Sequence, residues 1–353
     1  MRIAISTGGG DAPGLNAVIR GAVLAAIHRG WECVGIRRGY DGLLDEDRVV
    51  TLDVNAVRGV THLGGTILGS TNRGDPFRWR ERLPDGSWIE RDRTDELIAA
   101  FRTKGIDALI AIGGDGSLRI AHRLFEKGIP VVGVPKTIDN DVGGTVSTFG
   151  FDTAVQTATD AIDKLHSTAE SHERVMVVEV MGRHTGWIAV MSGIAGGADV
   201  ILIPEHPISI DEACDDIRRR HERGKDFSIV VVSEGYELEG LDDRGEVDEF
   251  GHERLSQRGV GEALAREIEA RTGFETRVTV LGHVQRGGSP TPRDRVLATR
   301  YGLKAADLVH EGRFGRMAAL HGDSVVDVSL EDATAELKTV PPEWYEVARA
   351  FFG

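Results

Sequence analysis

The chain has 353 residues, of which 41% are hydrophobic and 28% are charged, as expected of a globular protein with a substantial core. At this length we expect two domains or one large one. Asp and Glu number 56 against 42 Lys and Arg, so the net charge is −14. That charge argues against non-specific nucleic-acid binding, which requires a basic surface.

The sequence also bears on the cellular compartment. The two cysteines, Cys33 and Cys214, form no CxxC pattern, which argues against a disulfide scaffold or a cysteine-based zinc site. Residues Met1–Thr7 lead directly into a glycine turn and lack the apolar core of a signal peptide. No apolar run reaches the ~18 residues of a membrane span. We therefore expect a cytoplasmic chain without a membrane segment.

In chain order, β-rich runs alternate with helical patterns. The predicted strands are Ile3–Ser6, Ala108–Ile112, Val131–Val134, Val175–Val180, Val200–Ile203, Ile229–Val232 and Val278–Leu281. The predicted helices are Leu15–His28, Thr94–Lys104, Leu118–Lys127, Asp152–Ser171, Asp211–Arg223, Arg258–Arg271 and Asp294–His310. This alternation predicts an α/β fold with two doubly wound, Rossmann-like domains whose mainly parallel sheets are covered by helices. Gly69–Asp92 and Tyr236–Arg254 are expected to form long loops.

Two glycine-rich turns follow predicted strands and precede predicted helices. The first is Gly8-Gly9-Gly10-Asp11-Ala12-Pro13-Gly14, and the second is Gly113-Gly114-Asp115-Gly116-Ser117. Glycines allow close approach of the backbone to a ligand, and a helix N-terminus offers free N–H groups to phosphate. Neither turn matches Walker A or the GxGxxG motif. An ordinary turn with Asp115 as a helix cap is the alternative; with a phosphate present, Asp115 could hold Mg²⁺.

A third motif, Pro135-Lys136-Thr137-Ile138-Asp139-Asn140-Asp141, follows the strand at Val131–Val134. It concentrates two carboxylates, a hydroxyl and an ammonium group at one strand end. One aspartate could accept a proton from an attacking hydroxyl, and the other could support a metal or orient a cation. A simple turn rich in Asp and Asn is the alternative.

Two further motifs supply cations for a phosphorylated substrate. They are Glu179-Val180-Met181-Gly182-Arg183-His184-Thr185-Gly186 and Leu281-Gly282-His283-Val284-Gln285-Arg286-Gly287-Gly288. Arg174 precedes the first, and Arg277 precedes the second. Arginines of this kind stabilise a transferring phosphoryl group or bind a phosphate monoester. We expect Lys136, Arg174, Arg183, Arg277 and Arg286 to form one local positive field.

Together, from Gly8 to about Arg300, these five motifs resemble the phosphofructokinase family, whose members phosphorylate fructose 6-phosphate. The resemblance implies a phosphoryl-donor domain at residues 1–150 and 285–335, and a sugar-phosphate domain at residues 151–284 and 336–353. It also implies that Arg174 and Arg277 reach the site of a neighbouring subunit. The resemblance therefore implies a homodimer or a homotetramer. The implied substrates are fructose 6-phosphate and ATP, and the implied cofactor is Mg²⁺. Neither nucleic acid nor a membrane is expected as a partner.

The resemblance also implies residue roles. Asp139 would be the general base, with Thr137 and Asp141 beside it, and Arg183 would stabilise the phosphoryl group. The implied donor-binding residues are Gly10, Arg73, Gly114, Asp115, Gly116, Ser117 and Lys136, and Asp115 is also the implied metal ligand. The implied sugar-phosphate residues are Thr137, Asp139, Arg174, Met181, Gly182, Arg183, Glu234, Arg277, His283 and Arg286. The Arg73 assignment requires a shift of one residue, because the family arginine aligns with Asn72.

The same resemblance leaves the phosphoryl donor open. A glycine at position 116 favours ATP, because an acidic side chain there would block the nucleotide, whereas a lysine at position 136 is typical of pyrophosphate users. We predict ATP, since Gly116 leaves room and Lys136 excludes nothing by itself. The alternatives are a pyrophosphate-dependent enzyme, one that also accepts sedoheptulose 7-phosphate, and a non-catalytic homologue. A Rossmann oxidoreductase would require the GxGxxG loop that is lacking.

Overall fold

The computed structural model describes residues 1–44, 48–71, 74–238, 259–350 and 352. The strands in this part of the chain are β1 (Arg2–Thr7), β2 (Glu32–Ile36), β3 (Val49–Thr51), β4 (Trp79–Arg82), β5 (Trp88–Arg91), β6 (Ala108–Gly113), β7 (Val131–Thr137), β8 (Phe149–Gly150), β9 (Val175–Val180), β10 (Val200–Leu202), β11 (Ser228–Ser233), β12 (Thr276–Val280), β13 (Arg316–His321) and β14 (Ser324–Ser329). The α-helices are α1 (Leu15–His28), α2 (Asp41–Leu44), α3 (Thr94–Thr103), α4 (Asp115–Glu126), α5 (Phe151–His172), α6 (Trp187–Ala195), α7 (Ile210–Glu222), α8 (Val260–Thr272), α9 (Pro292–His310), α10 (Leu330–Ala335) and α11 (Pro342–Arg349). A 3-10 turn covers Gly282–Arg286.

The chain divides into two compact units. Unit 1 consists of Met1–Ile138, Val142–Asp152 and Arg286–Leu337. Unit 2 consists of Asp139–Asp141, Thr153–Gln285 and Lys338–Gly353. The division predicted from the sequence kept Asp139–Asp141 in the first domain, whereas in the structure these three residues belong to unit 2.

Unit 1 is built on one large, mainly parallel sheet. Its strand order is β14-β13-β7-β6-β1-β2-β3, and β8 lies beside β7. Only the outer pairs β13–β14 and β2–β3 are antiparallel. Successive residues of a strand point to opposite faces: Ile3 and Ile5 join the core shared with α1 and α9, whereas Ala4 joins the core shared with α3 and α4. A sheet buried on both faces explains why its strands are apolar without alternation.

Unit 2 contains a smaller sheet of four parallel strands in the order β10-β11-β9-β12. Val175 and Val177 of β9 pack in a core with the apolar faces of α7 and α8. Because β9, β11 and β12 are parallel neighbours, their carboxyl ends lie at the same edge of the sheet. The loops that follow these strands are therefore brought together.

The predicted fold class is confirmed: both sheets are mainly parallel and are covered by helices. The expectation of a long loop at Gly69–Asp92 is wrong for part of that stretch, because β4 and β5 pair there as an antiparallel hairpin. Most of the loop predicted at Tyr236–Arg254 lies outside the described residues. Among the helices that the structure describes, none is long and apolar enough to cross a membrane.

Candidate active site

The first glycine loop connects β1 to α1 and is fixed to its neighbours by backbone hydrogen bonds. The Gly8 N–H donates to the Ile112 carbonyl at 2.9 Å, and the Gly9 N–H donates to the Thr71 carbonyl at 2.9 Å. Gly14, which immediately precedes α1, has φ of 106°, and a Cβ added there would lie 2.8 Å from the Phe149 ring. Glycine is therefore required at this turn for both its backbone angle and its lack of a side chain.

The second glycine loop, between β6 and α4, packs directly against the first. Ser117 lies between them: a Cβ on Gly113 would come within 2.3 Å of the Ser117 Cβ, and a Cβ on Gly8 within 2.8 Å of its Oγ. Since β1 and β6 are parallel neighbours, α1 and α4 both begin at the same sheet edge. Two helix N-termini at one edge form a natural site for phosphate groups.

Two cations lie against the first glycine loop. The Lys136 side chain is only 3% exposed, and its Nζ donates to the Gly10 carbonyl at 2.5 Å. The Arg286 Nη1 donates to the Asp11 carbonyl at 3.4 Å, and a Cβ on Gly10 would lie 2.6 Å from that same nitrogen. Arg286 was expected in a phosphate cradle with Arg277, yet in unit 1 its described contacts are with the first glycine loop.

Asp115 and Gly116 open α4 beside these loops. The Asp115 carboxylate pairs with the Arg119 Nε at 3.0 Å. With phosphate groups bound at these loops, the Asp115 carboxylate would fit Mg²⁺, which proteins commonly hold through one or two carboxylates together with substrate phosphates. In the described part of the chain no group of three or more His, Cys, Asp or Glu forms a metal site. A Cβ on Gly116 would meet nothing within 4 Å, so there is open space at this position, and Gly114 is the residue just before the helix.

A cavity of about 550 Å³ next to β2 and β3 was not predicted from the sequence. Arg37, Arg38 and Arg48 line it together with Gly69, whose carbonyl accepts a hydrogen bond from the Thr7 hydroxyl at 2.7 Å. Because β2 ends at Ile36, the cavity lies at the carboxyl end of the sheet, where ligands of such folds bind. Arg73, the remaining predicted donor residue, lies outside the described residues.

In unit 2, the loop after β9 is held to the loop after β11. The Glu234 N–H donates to the Val180 carbonyl at 2.9 Å, and the Ser233 hydroxyl donates to the Gly182 carbonyl at 2.6 Å. Gly182 has φ of 137°, and a Cβ there would lie 2.5 Å from the Thr185 carbonyl. The Met181 N–H donates to Gln285, a buried residue of the 3-10 turn after β12. Three strand ends are thus joined at one edge.

The residues Asp139–Asp141 join this group. The Thr185 hydroxyl donates to the Asp139 carbonyl at 3.2 Å. Asn140 is 3% exposed and has φ of 55°, a left-handed backbone angle that is uncommon outside glycine. Burial and, next, the negative charge of Asp139 together raise the pKa of Glu234 to about 7, although Arg183 acts to lower it. The structure therefore brings Asp139, Glu234 and Arg183 together within unit 2.

The predicted field of five cations is not one cluster. Arg174 precedes β9 and Arg277 pairs in register with Met176, so both lie at the amino end of β9, whereas Arg183 follows its carboxyl end. At about 3.3 Å per residue, the strand separates the two ends by roughly 20 Å. Arg174 and Arg277 instead both pair with Glu275, Arg174 at 2.8 Å. His283 is exposed on the 3-10 turn after β12, at the carboxyl end.

One residue in contact with Asn140 and Asp141 was missed by the sequence analysis. Lys338 donates from its Nζ to the Asn140 Oδ1 at 2.8 Å and from its backbone N–H to the Asp141 carbonyl at 2.9 Å. No local motif surrounds Lys338, and it lies almost 200 residues further along the chain. Its place in unit 2 is therefore a product of the tertiary fold alone.

Comparisons with known proteins give a consistent result. The family model described as Phosphofructokinase matches residues 2–309. The chain is 53% identical over 358 residues to a pyrophosphate–fructose 6-phosphate 1-phosphotransferase of Amycolatopsis mediterranei, with 100% of both chains covered. It is 51% identical over 357 residues to an ATP-dependent 6-phosphofructokinase of Corynebacterium efficiens, covering 100% of this chain and 99% of the relative. The phosphofructokinase of Pichia pastoris in the T-state superimposes with a TM-score of 0.79 at 33% identity, over 99% of this chain and 36% of that longer chain.

Proposed function

Since this chain belongs to the phosphofructokinase family, we propose that it transfers the terminal phosphoryl group of ATP to the 1-hydroxyl of fructose 6-phosphate. The observation that carries the proposal is the set of contacts made by the short segment from Lys136 to Asp139. The Lys136 Nζ donates a hydrogen bond to the Gly10 carbonyl of the first glycine loop. Three residues later, the Asp139 carbonyl accepts a hydrogen bond from the Thr185 hydroxyl, and the charge of Asp139 helps to raise the pKa of Glu234. A donor-side cation and an acceptor-side acid therefore belong to one stretch of backbone.

The proposed chemistry is direct in-line transfer. The Asp139 carboxylate takes the proton of the sugar 1-hydroxyl while that oxygen forms a bond to the terminal phosphorus. The bond from this phosphorus to the bridging oxygen breaks, and ADP leaves with the electron pair. Arg183 stabilises the charge on the transferring group, while Thr137 and Asp141 orient the reacting groups. Transfer of this kind depends on positioning and electrostatic stabilisation, with no covalent enzyme intermediate.

The remaining residues would bind the two substrates. Gly10, Gly114, Gly116, Ser117 and Lys136 would hold the donor phosphates. Asp115 would hold Mg²⁺, which supplies charge neutralisation of those phosphates when bound.

On the acceptor side, Met181, Gly182 and Glu234 would contact the sugar, and His283 and Arg286 its 6-phosphate. We also propose that Arg174 and Arg277 act on a neighbouring copy in a homodimer or homotetramer. Their position at the amino end of β9, far along the strand from Arg183, supports that role.

Two observations favour ATP over pyrophosphate. Open space surrounds the Gly116 Cα, so a donor larger than pyrophosphate meets no side chain there. In addition, the cavity lined by Arg37, Arg38 and Arg48 lies at the carboxyl end of the sheet and offers volume and positive charge for the rest of a nucleotide. The second candidate, pyrophosphate, is favoured by the buried Lys136 on the donor loop and by relatives at 53% identity that carry that name.

A matrix of donors and acceptors tests the proposal. ATP and pyrophosphate are each combined with fructose 6-phosphate, sedoheptulose 7-phosphate and ribose 5-phosphate, in the presence of Mg²⁺. We expect the highest kcat/KM for ATP with fructose 6-phosphate. Turnover with pyrophosphate but not with ATP would refute the donor assignment, and absence of turnover with every pair would refute the enzyme assignment.

The raised pKa of Glu234 predicts a pH dependence of sugar binding. A carboxylate accepts a hydrogen bond from a sugar hydroxyl more strongly than a neutral acid does, and Glu234 ionises only as the pH rises through about 7. We expect the KM for fructose 6-phosphate to rise by about fivefold as the pH falls from 8 to 6, the loss of one hydrogen bond of about 1 kcal/mol.

Glu234→Gln is the matched control for this prediction. It removes the titrating group, so the part of the pH dependence that is due to Glu234 should vanish, and ionisation of the substrate phosphate remains in both proteins. Identical profiles for the two proteins would contradict the assignment.

Glu234 affects stability in the direction opposite to its effect on sugar binding. Because folding raises the pKa of Glu234, its contribution to the free energy of unfolding is greatest at low pH and is lost as the pH rises through about 7.

Arg286→Ala distinguishes two roles for this guanidinium. If Arg286 binds the 6-phosphate, as the family resemblance implies, the KM for fructose 6-phosphate should rise about 10- to 100-fold, since charge-assisted hydrogen bonds contribute about 1.5–3 kcal/mol. Arg286 also contacts the Asp11 carbonyl on the first glycine loop, so the KM for the phosphoryl donor should be measured beside the KM for fructose 6-phosphate. Initial rates with each substrate varied in turn would decide, and a rise confined to the donor KM would refute the 6-phosphate role.

A further inference from the structure

The C-terminal segment of unit 2 brings one lysine into contact with the residues around the general base. We propose that Lys338 is a positioning residue for phosphoryl transfer, holding the Asn140–Asp141 turn so that Asp139 and Asp141 keep their places. The inference deepens the proposed function and rests on it. Lys338 does not touch substrate in this role; it acts through the turn that it binds.

The turn that follows Asp139 is fixed by two contacts with Lys338. Asn140 has φ of 55°, in the left-handed region that asparagine enters more readily than most non-glycine residues. Lys338 contacts this turn through its Nζ to the Asn140 Oδ1 at 2.8 Å and through its backbone N–H to the Asp141 carbonyl at 2.9 Å. One bond holds the side chain of Asn140, and the other holds the next peptide group.

Lys338 also connects this turn to the loop that carries Arg183. The indole Nε1 of Trp187, the first residue of α6, donates to the Lys338 carbonyl at 2.9 Å. The Lys338 Nζ lies 5.4 Å from the centroid of the Trp187 ring, a cation–π distance. Two residues further on, the Val340 N–H donates to Glu205, whose carboxylate also accepts from the Gly186 N–H. The segment at 338–340 therefore binds both the base-carrying turn and the Arg183 loop.

The electrostatics of Lys338 are consistent with a positioning role. Burial lowers the pKa of Lys338 to about 7, although the negative charge of Asp141 acts in the opposite direction. Burial of this amine costs free energy, which its hydrogen bond to Asn140 and the charge of Asp141 offset. What the ammonium group does supply is a directed hydrogen bond to Asn140.

Lys338→Met keeps most of the side-chain volume and removes the ammonium group. We expect kcat to fall about 10- to 100-fold, since small misplacements of reacting groups cost this much, while the KM for fructose 6-phosphate changes by less than about threefold. The melting temperature should fall modestly, because the hydrogen bond to the Asn140 Oδ1 is lost; the unchanged KM separates a positioning role from general destabilisation. Lys304→Met is the matched control: Lys304 is also a partly buried lysine, paired with Asp327 in unit 1, and its loss should leave kcat unchanged.

A second variant approaches the same contact from the other side. Trp187→Phe keeps an aromatic ring but loses the hydrogen bond to the Lys338 carbonyl, and it should lower kcat by about threefold to tenfold with an unchanged KM. If Lys338→Met does not fold, the kcat of Trp187→Phe tests the proposal instead.

The outcomes are separable. A kcat within twofold of the natural protein in the folded variants would overturn the inference, as would an equal loss in Lys304→Met. If the natural protein itself showed no turnover of fructose 6-phosphate with either donor, the proposed function and this inference would both fall.

Discussion

Replacing Asp139 with asparagine is expected to lower kcat by about 10²- to 10⁴-fold, the usual contribution of general base catalysis. Asparagine has nearly the same shape as aspartate but cannot accept the proton of the sugar hydroxyl. The backbone carbonyl that receives the Thr185 hydroxyl is retained, so the turn should keep its place. The KM for fructose 6-phosphate should therefore change little, which identifies an interaction made mainly in the transition state.

The matched control is Asp160→Asn. Asp160 is an exposed residue of α5 that accepts a hydrogen bond from Gln156 and has no part in the proposed chemistry. Steady-state rates with saturating donor, together with melting temperatures of both variants, would complete the measurement. Near-normal turnover in Asp139→Asn would remove this residue from the role of base, and a large rise in KM would assign it to sugar binding instead.

Replacing Gly116 with aspartate is expected to abolish ATP use, with a loss in kcat/KM of at least about 10²-fold. A Cβ at position 116 meets no protein atom within 4 Å, so the new side chain fits the folded protein and extends into open space beside the phosphate loops. There it would occupy room needed by the nucleotide and would place a negative charge next to its phosphates. Like charges placed next to each other in a binding site cost several kcal/mol.

Gly116→Ala separates the effect of charge and length from the effect of losing a glycine. A single methyl group at this open position should leave most ATP-dependent activity intact. Pyrophosphate-dependent activity, assayed in parallel, should survive or increase in Gly116→Asp, because pyrophosphate lacks the nucleotide. Undiminished ATP turnover in Gly116→Asp would show that the open space at residue 116 does not receive the donor.

The fold was largely predictable because most buried strands of the two sheets are short apolar runs. β1, β6, β7, β9 and β11 lie where those runs predicted them, whereas β2 and β13, although mostly buried, were not predicted. The hairpin β4–β5 was missed because its residues are charged and polar on an exposed surface, as in Arg80 and Glu90, which form a cross-strand ion pair at 3.1 Å. Such a strand is stabilised by its cross-strand partners, and no buried face marks it in the sequence.

The candidate site was predictable where function follows a strand end, and less so where it depends on long-range packing. Arg183 and Glu234 follow β9 and β11, neighbouring parallel strands that end at the same sheet edge. Asp139 follows β7 of the other sheet but belongs to unit 2, a placement that the strand pattern does not predict. Arg174 and Arg277 also flank strands, but at the opposite end, which composition alone does not reveal. No sequence motif surrounds Lys338, and its contact with Asn140 joins residues 198 positions apart. The sequence alone therefore could not predict this contact.

The backbone passes from unit 1 to unit 2 between Ile138 and Asp139. Ile138 is therefore the single residue that links Thr137 of unit 1 to Asp139 of unit 2. An extended chain spans at most about 3.6 Å per residue, so the Cα atoms of Lys136 and Asp139 can never be more than about 11 Å apart. Whatever rearrangement the chain undergoes, peptide bonds keep the backbone of Lys136 and of Asp139 within this distance, and no loosening of noncovalent packing can increase it.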